Sequence, residues 1–226
     1  TDDSGNTDVC SFTVTVNDTE APATVCQNIT VQLDASGNTS IVASDVNGGS
    51  SDNCAIANLS IDISSFTCAN VGPNTVNLTV TDDEGNSSSC PATVTVQDNT
   101  LPTALCQNIT VQLDAAGNGS ITPAQIDNGS NDACGIANLS LDVTTFNCSN
   151  LGANTVELTV TDNNSNSATC TATVTVEDNV APNAICQNTT IQLDGSGTAS
   201  IIVADINNGS NDACGIANLS LSVAAA

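Results

Sequence analysis

In 226 residues the chain has no lysine, arginine, histidine, methionine, tryptophan or tyrosine, so its charged side chains are 24 carboxylates. Nucleic acids are bound by cationic side chains that displace condensed counterions, which excludes DNA and RNA as partners. An anionic membrane surface is repelled for the same reason. No run approaches the ~18 consecutive apolar residues of a spanning helix, so this segment is not expected to insert in a membrane. Without histidine, lysine or tyrosine there is no Ser-His or Cys-His pair and little acid-base chemistry. Only carboxylate pairs of the glycosidase kind remain, and here the carboxylates recur along the chain instead of converging on one pocket. The expectation is a non-enzyme. Missing Trp and Tyr platforms also weigh against sugar stacking. Without lysine the chain cannot form lysine-asparagine isopeptide crosslinks, and without Lys or Arg it offers no trypsin-type cleavage sites.

Eleven cysteines are present, with no Cys-x-x-Cys spacing and no histidine. That argues for disulfides rather than zinc, and disulfides place the segment in an oxidising setting, secreted, periplasmic or at a cell surface, with an extracellular location expected. No charged and apolar leader stands at Thr1, so the true N-terminus is expected elsewhere.

The cysteines also set a period. Cys10, Cys90 and Cys170 are 80 residues apart, as are Cys26, Cys106 and Cys186, Cys54, Cys134 and Cys214, and Cys68 and Cys148. The segments CQNITVQLDASGN, CQNITVQLDAAGN and CQNTTIQLDGSGT share that offset. A fixed long period without insertions marks an array of like modules. Pro22, Pro102 and Pro182 each follow an alternating strand and an acidic step, which sets the phase. Complete repeats are thus expected at 19–98 and 99–178, with 1–18 the tail of a preceding repeat and 179–226 the front of a further one. Cys10 is expected to have its partner upstream, and the next cysteine in register falls at 228. Ala224–Ala226 stand where the register expects residues like Ser64, Ser65 and Phe66, and read as placeholders.

Within each repeat, period-two runs of Val, Ile, Leu and Thr separated by Gly, Asn and Asp clusters predict about seven short strands. One is NITVQLD, another TSIVASDV, a third LSIDISSF after a long loop; TVNLTVTD and SCPATVTVQ form a hairpin over an Asp-Glu-Gly-Asn turn. The fold class is all-β, tandem immunoglobulin-like β-sandwich modules stapled by disulfides. With one phenylalanine per complete repeat, Phe66 or Phe146, the core is thin and covalent staples are needed. Four cysteines allow three connectivities; side-by-side first and last strands favour Cys26–Cys90 and Cys106–Cys170, leaving Cys54–Cys68 and Cys134–Cys148. The long loop would contribute about 4 kcal/mol and the short one about 3 kcal/mol on the chain-entropy argument. The TVTV runs at 13–16, 93–96 and 173–176 carry no charge and read as unprotected edges through which arrays could bundle.

The SDNC and NDAC loops, the V-T-D-x-x-G-N hairpin, the S-C-x-x-T-V-T-V closing strand and the D-x-x-x-P linker together resemble the hyalin-repeat (HYR) family of immunoglobulin-like modules, as found in giant surface proteins of gliding bacteria. The resemblance covers both complete repeats. It implies an extracellular module serving as spacer or adhesive stalk. The total absence of basic residues departs from relatives that have them.

Acidic residues recur at fixed positions: Asp18, Glu20, Asp98, Glu177 and Asp178 at junctions, Asp2, Asp3, Asp82, Asp83, Glu84 and Asp162 in the hairpin turn, and Asp52, Asp132 and Asp212 before the loop cysteines. The sandwich topology brings linker, loop and turn to one end. Each junction is therefore expected to gather Asp18 with Asp52 and Asp82, or Asp98 with Asp132 and Asp162, around Ca²⁺, which takes six to eight oxygen ligands. The linkers resemble those of cadherins, where calcium stiffens junctions. Alternatively these are ordinary turn residues. Asn28, Asn58, Asn108, Asn138, Asn188 and Asn218 head Asn-x-Ser/Thr triplets, candidates for glycosylation. The expected function is a structural stalk or filament segment giving reach and stiffness, with other copies or repeats as partners; the alternative is a multivalent adhesin binding a polymer or glycan surface.

Overall fold

The computed structural model describes residues 1–222. They fall into two compact units, one ending at Thr100 and one beginning at Leu101.

The first unit is organised by one long hairpin. TVNLTVTD alternates apolar with polar residues, so strand β5 (Gly72–Asp82) buries Val76, Leu78 and Val80 on one face, and strand β6 (Ser87–Gln97) answers with Ala92, Val94 and Val96. Leu78 stands opposite Cys90, and the strands pair antiparallel down to Thr81–Ser87. Strand β3 (Ile56–Ile61) joins the free edge of β5 antiparallel. Strand β1 (Ile29–Gln32) lies parallel to β6, Ile29 opposite Val94, giving the sheet order β1-β6-β5-β3. A second layer is the short pair β2 (Asn38–Ser40) and β4 (Ser65–Thr67), which carries Phe66 into the core at 1 % exposure. Each buried Val or Leu contributes about 1.5–3 kcal/mol, so the aliphatic stripe of the hairpin supplies most of the apolar driving force.

The second unit repeats this plan 80 residues on. Strands β7 (Ile109–Gln112), β8 (Asn118–Ser120), β9 (Ile136–Leu141), β10 (Thr145–Asn147), β11 (Gly152–Asp162) and β12 (Ser167–Glu177) form a sheet β7-β12-β11-β9 and a pair β8-β10. Its core is Val111, Leu113, Ile121, Ile126, Phe146, Val156, Leu158, Val160, Ala172, Val174 and Val176. Bridges Thr103↔Asn131 and Cys106↔Asp127 precede the strands, and equivalents recur at Asn183↔Asn211 and Cys186↔Asn207.

Three expectations need correction. Each complete repeat has six strands, and TSIVASDV stops being a strand after Ser40, where Asp45 accepts the Val42 N–H at 2.8 Å and closes a helical turn, as Gln125 does with Thr122 at 2.8 Å. The TVTV runs at 93–96 and 173–176 are not edges, because β1 and β7 cover them in parallel. The run at 13–16 forms no strand, and Val14 and Val16 are 69 % and 88 % exposed where their equivalents Val94 and Val96 are buried. Residues Ala224–Ala226 lie outside the described residues.

Candidate junction sites

Cys26 stands three residues ahead of β1 and Cys90 lies within β6, so the parallel pairing of those strands brings the two together; they form a disulfide with Cα atoms 5.9 Å apart. Cys106–Cys170 is its equivalent at 5.8 Å. The short pairs do not form. Cys54 is a free, exposed thiol while Cys68 is disulfide-bonded, and Cys134 and Cys148 are bonded but not to each other. The reason is the run of the chain. Cys134 precedes β9 at the hairpin-turn end, where Asn163 Nδ2 donates to its carbonyl at 2.7 Å. The six residues of β9 then carry the chain roughly 20 Å away before β10 and Cys148. A disulfide needs Cα atoms within about 7 Å.

Cys148 bonds instead to Cys214, 66 residues later and in the next sequence repeat, with Cα atoms 5.1 Å apart. The turn residue Gly117 makes room for this junction. A Cβ at Gly117 would sit 2.7 Å from Cys148 Sγ and 3.1 Å from Ala213 Cβ, and its φ of +77° already favours glycine. Cys148 and Cys214 both pack against the core of the second unit.

The carboxylates act first as turn residues. Asp82 accepts from Glu84 N at 3.0 Å, Asn86 N at 2.7 Å and Asn86 Nδ2 at 2.8 Å, and is 2 % exposed. Asp162 does the same with Asn164 and Asn166, each bond 2.8 Å. Asp52, Asp132 and Asp212 accept from the N–H of Cys54, Cys134 and Cys214 at 2.7–2.8 Å. Asp18, Asp98 and Asp178 each take the N–H two residues on at 3.0 Å, and Glu20 holds Asn53 Nδ2 at 2.9 Å. Apart from the Glu20–Asn53 contact, these are the Asx turns of loop chemistry.

Most of these carboxylates keep a second oxygen for other work. Asp18, Asp52 and Cys54 present ligand atoms within 4.8 Å of one another, as do Asp18, Asp82 and Glu84, and Asp178, Asp212 and Cys214. The fold thus brings Asp52 and Asp82 each to Asp18, with Glu84 rather than exposed Asp83 as the turn's second acid. No nitrogen or oxygen donor reaches the buried Oδ2 of Asp18. Its neighbour is the Cys54 thiol, whose hydrogen bond is the main reason the Asp18 carboxyl titrates below its ordinary range. In return that hydrogen bond, then burial and the charges of Asp18, Glu84 and Asp52, push the thiol up to about 11. A protonated thiol and a disulfide sulfur are poor ligands for a soft metal, so the remaining donors are carboxylate oxygens, which suit a hard cation. The residues present fit Ca²⁺ in donor type.

All six triplet asparagines are exposed. Two have a structural task that the sequence did not reveal: Asn28 and Asn108 Oδ1 accept the N–H of Thr93 and Thr173 at 2.7 Å, clamping the start of β1 and β7 to the neighbouring strand.

No family model matches the chain. It is similar to hyalin of Strongylocentrotus purpuratus. The identity is 35 % over 134 residues, 54 % of this chain but 11 % of that protein, so the chain spans about a tenth of its relative's length. The hyalin-repeat resemblance read from the loop, hairpin and linker motifs thus has a matching relative. Solved structures with some likeness include Drosophila N-cadherin EC1-4, at 11 % identity and TM-score 0.38 over 70 % of this chain and 50 % of that one. Another is an endo-fucoidan hydrolase of glycoside hydrolase family 107, at 14 % identity and TM-score 0.29 over 76 % and 31 %. Scores this low carry nothing beyond the β-rich character already described.

Proposed function

We propose that this chain is a non-enzymatic stalk segment of an extracellular array, with repeats at 19–98 and 99–178, whose task is to hold length under load. The observation that carries the reading is the covalent path. Cys26–Cys90 and Cys106–Cys170 each bridge 64 residues, and Cys90 to Cys106 is only 16. Tension entering at Cys26 leaves at Cys90 through one S–S bond, so the loop between them cannot be drawn out in full; in the second unit Cys148–Cys214 leaves the short step from Cys148 to Cys170 in the load path. The deciding measurement is extension under load with disulfides intact. Repeats that pay out their full length would overturn the reading. The multivalent adhesin is the other outcome: a single repeat that binds a glycan or polymer surface on its own would favour it.

Calcium is the proposed stiffener of the junctions. Asp18, Asp52, Asp82 and Glu84 would hold it in the first unit, Asp178 and Asp212 in the second, and the ion would offset the mutual repulsion of carboxylates that have no cationic side chain to pair with. At a concentration 100 times its dissociation constant it would stabilise by about 2.7 kcal/mol. Calorimetry with and without chelator tests this, with Asp18→Asn as control. An unchanged melting temperature would exclude the ion.

A further inference from the structure

We propose that Cys54 is the receiving half of an inter-repeat disulfide, whose partner is the Cys148-type cysteine of a repeat of the same kind placed directly ahead of it. This stands apart from the stalk reading, since it concerns which sulfurs join and not what the array does.

A bond of this kind is already formed elsewhere in the chain. Cys214 occupies the position of Cys54 two periods later, and it is joined to Cys148. The two cysteines are presented alike. Cys54 N donates to Asp52 Oδ1 at 2.8 Å and Cys214 N to Asp212 Oδ1 at 2.8 Å. Each then lies within 4.8 Å of a linker carboxylate, Asp18 or Asp178. The loop that receives a sulfur at Cys214 is therefore already shaped at Cys54, where the thiol is exposed and unbonded. One difference is Asn53 in place of Ala213, the residue facing Gly117. The Asn53 amide is held by Glu20, to which it donates at 2.9 Å.

The giving side is equally local. Cys148 opens a tight turn, Cys148–Asn150, fixed by Asn147 Oδ1 accepting from Ser149 N at 2.9 Å, with Gly117 beside it. Every part of that side lies in the repeat's own second layer, so a repeat ahead of Cys54 brings the complete donor with it. The bond forms between Cys148-type Sγ and Cys54 Sγ. Two thiols lose their protons and two electrons to a disulfide oxidant such as oxidised glutathione, which leaves as two thiols.

The test adds one copy of residues 99–160 ahead of Thr1 of the full chain. The copied Cys148 then stands 66 residues before Cys54, the separation in Cys148–Cys214, and the copied Cys106 stands 64 before Cys10, the separation in Cys106–Cys170. After refolding in a glutathione redox buffer, free thiols are alkylated and peptides from a protease that needs no basic residue are mapped by mass. Expected is the loss of alkylation at both Cys10 and Cys54, with a linked peptide joining Cys54 to the copied Cys148. Changing that copied cysteine to serine should restore alkylation at Cys54 alone. Cys10 bonded while Cys54 stays free would overturn the proposal, because the added repeat has then folded without making the link. Both remaining free would overturn it as well, since the period would then not carry the pairing.

Discussion

Load applied to this chain acts first on its disulfides. In the oxidised protein the Cys26–Cys90 bridge holds two Cα atoms 5.9 Å apart across 64 residues. An extended chain gains at most about 3.5 Å per residue, so the bridge conceals about 220 Å of contour length in the first unit. Cys106–Cys170 conceals a similar length in the second. What tension can draw out between the two staples is the 16-residue step from Cys90 to Cys106, about 55 Å even when fully straightened. Single-molecule pulling from the two ends should therefore give no rupture event larger than about 100 Å in oxidising buffer. With reductant, two events near 220 Å should appear. The variant Cys26→Ser/Cys90→Ser should release one of them without reductant. Long events in the untreated protein, or traces indifferent to reductant, would refute the shielded-path argument.

Four further outcomes follow from named contacts. Phe146→Ala removes the aromatic side chain of the second unit's core, 3 % exposed, and should cost about 3–5 kcal/mol, read by denaturant unfolding. Ser165 has φ +74° at the turn position where the first unit has Gly85, so Ser165→Gly should stabilise by about 1 kcal/mol and raise the melting temperature by a few degrees. The Cys54 thiol, pushed up to about 11, should react with iodoacetamide at pH 8 about a hundredfold more slowly than a free cysteine, and Asp18→Asn should restore the rate. Asp62 is held below the ordinary carboxylate range chiefly by the Asn77 N–H at 2.8 Å, then by the Asn77 amide; a depressed acid contributes stability above its unfolded value near pH 4 and loses it as pH falls through the folded value. A melting curve followed from pH 6 to pH 2 should decline below about pH 4, and less steeply in Asp62→Asn.

The parts of this fold that could be read from residues were those with a period. Alternation in TVNLTVTD and SCPATVTVQ located the long hairpin and its buried face, and the 80-residue spacing located the second copy. Aspartates in Asx turns were legible because their chemistry is local: acceptor and donor lie two to four residues apart. What failed was the short cysteine pairing, which depends on which end of a strand each sulfur occupies. Cys134 and Cys148 are close in sequence, yet β9 separates them, and the partner of Cys148 belongs to the following repeat. Counting cysteines within one repeat hides that option, because a link to the next repeat has the same number per period. That β1 lies beside β6 follows from the sandwich topology, first strand next to last, although the uncharged TVTV run had read as an open edge; the clamp from Asn28 to Thr93, which spans 65 residues, left no mark in the sequence.

That parallel pairing also explains why sulfur is placed where it is. Strands so distant in sequence meet only after a large loss of chain entropy, and parallel, long-range pairing is the slow kind. Cys26 and Cys90 close that loop just ahead of the first parallel pair, Ile29 with Val94. Once the bond exists, β1 need only lie down beside β6, with the Asn28 amide already in reach of the Thr93 N–H. A 64-residue closure removes about 4 kcal/mol of unfolded-state freedom. The same bond thus lowers the entropic cost of laying β1 beside β6, and serine at either position should leave a repeat that folds but is less stable by about 4 kcal/mol, read by denaturant unfolding.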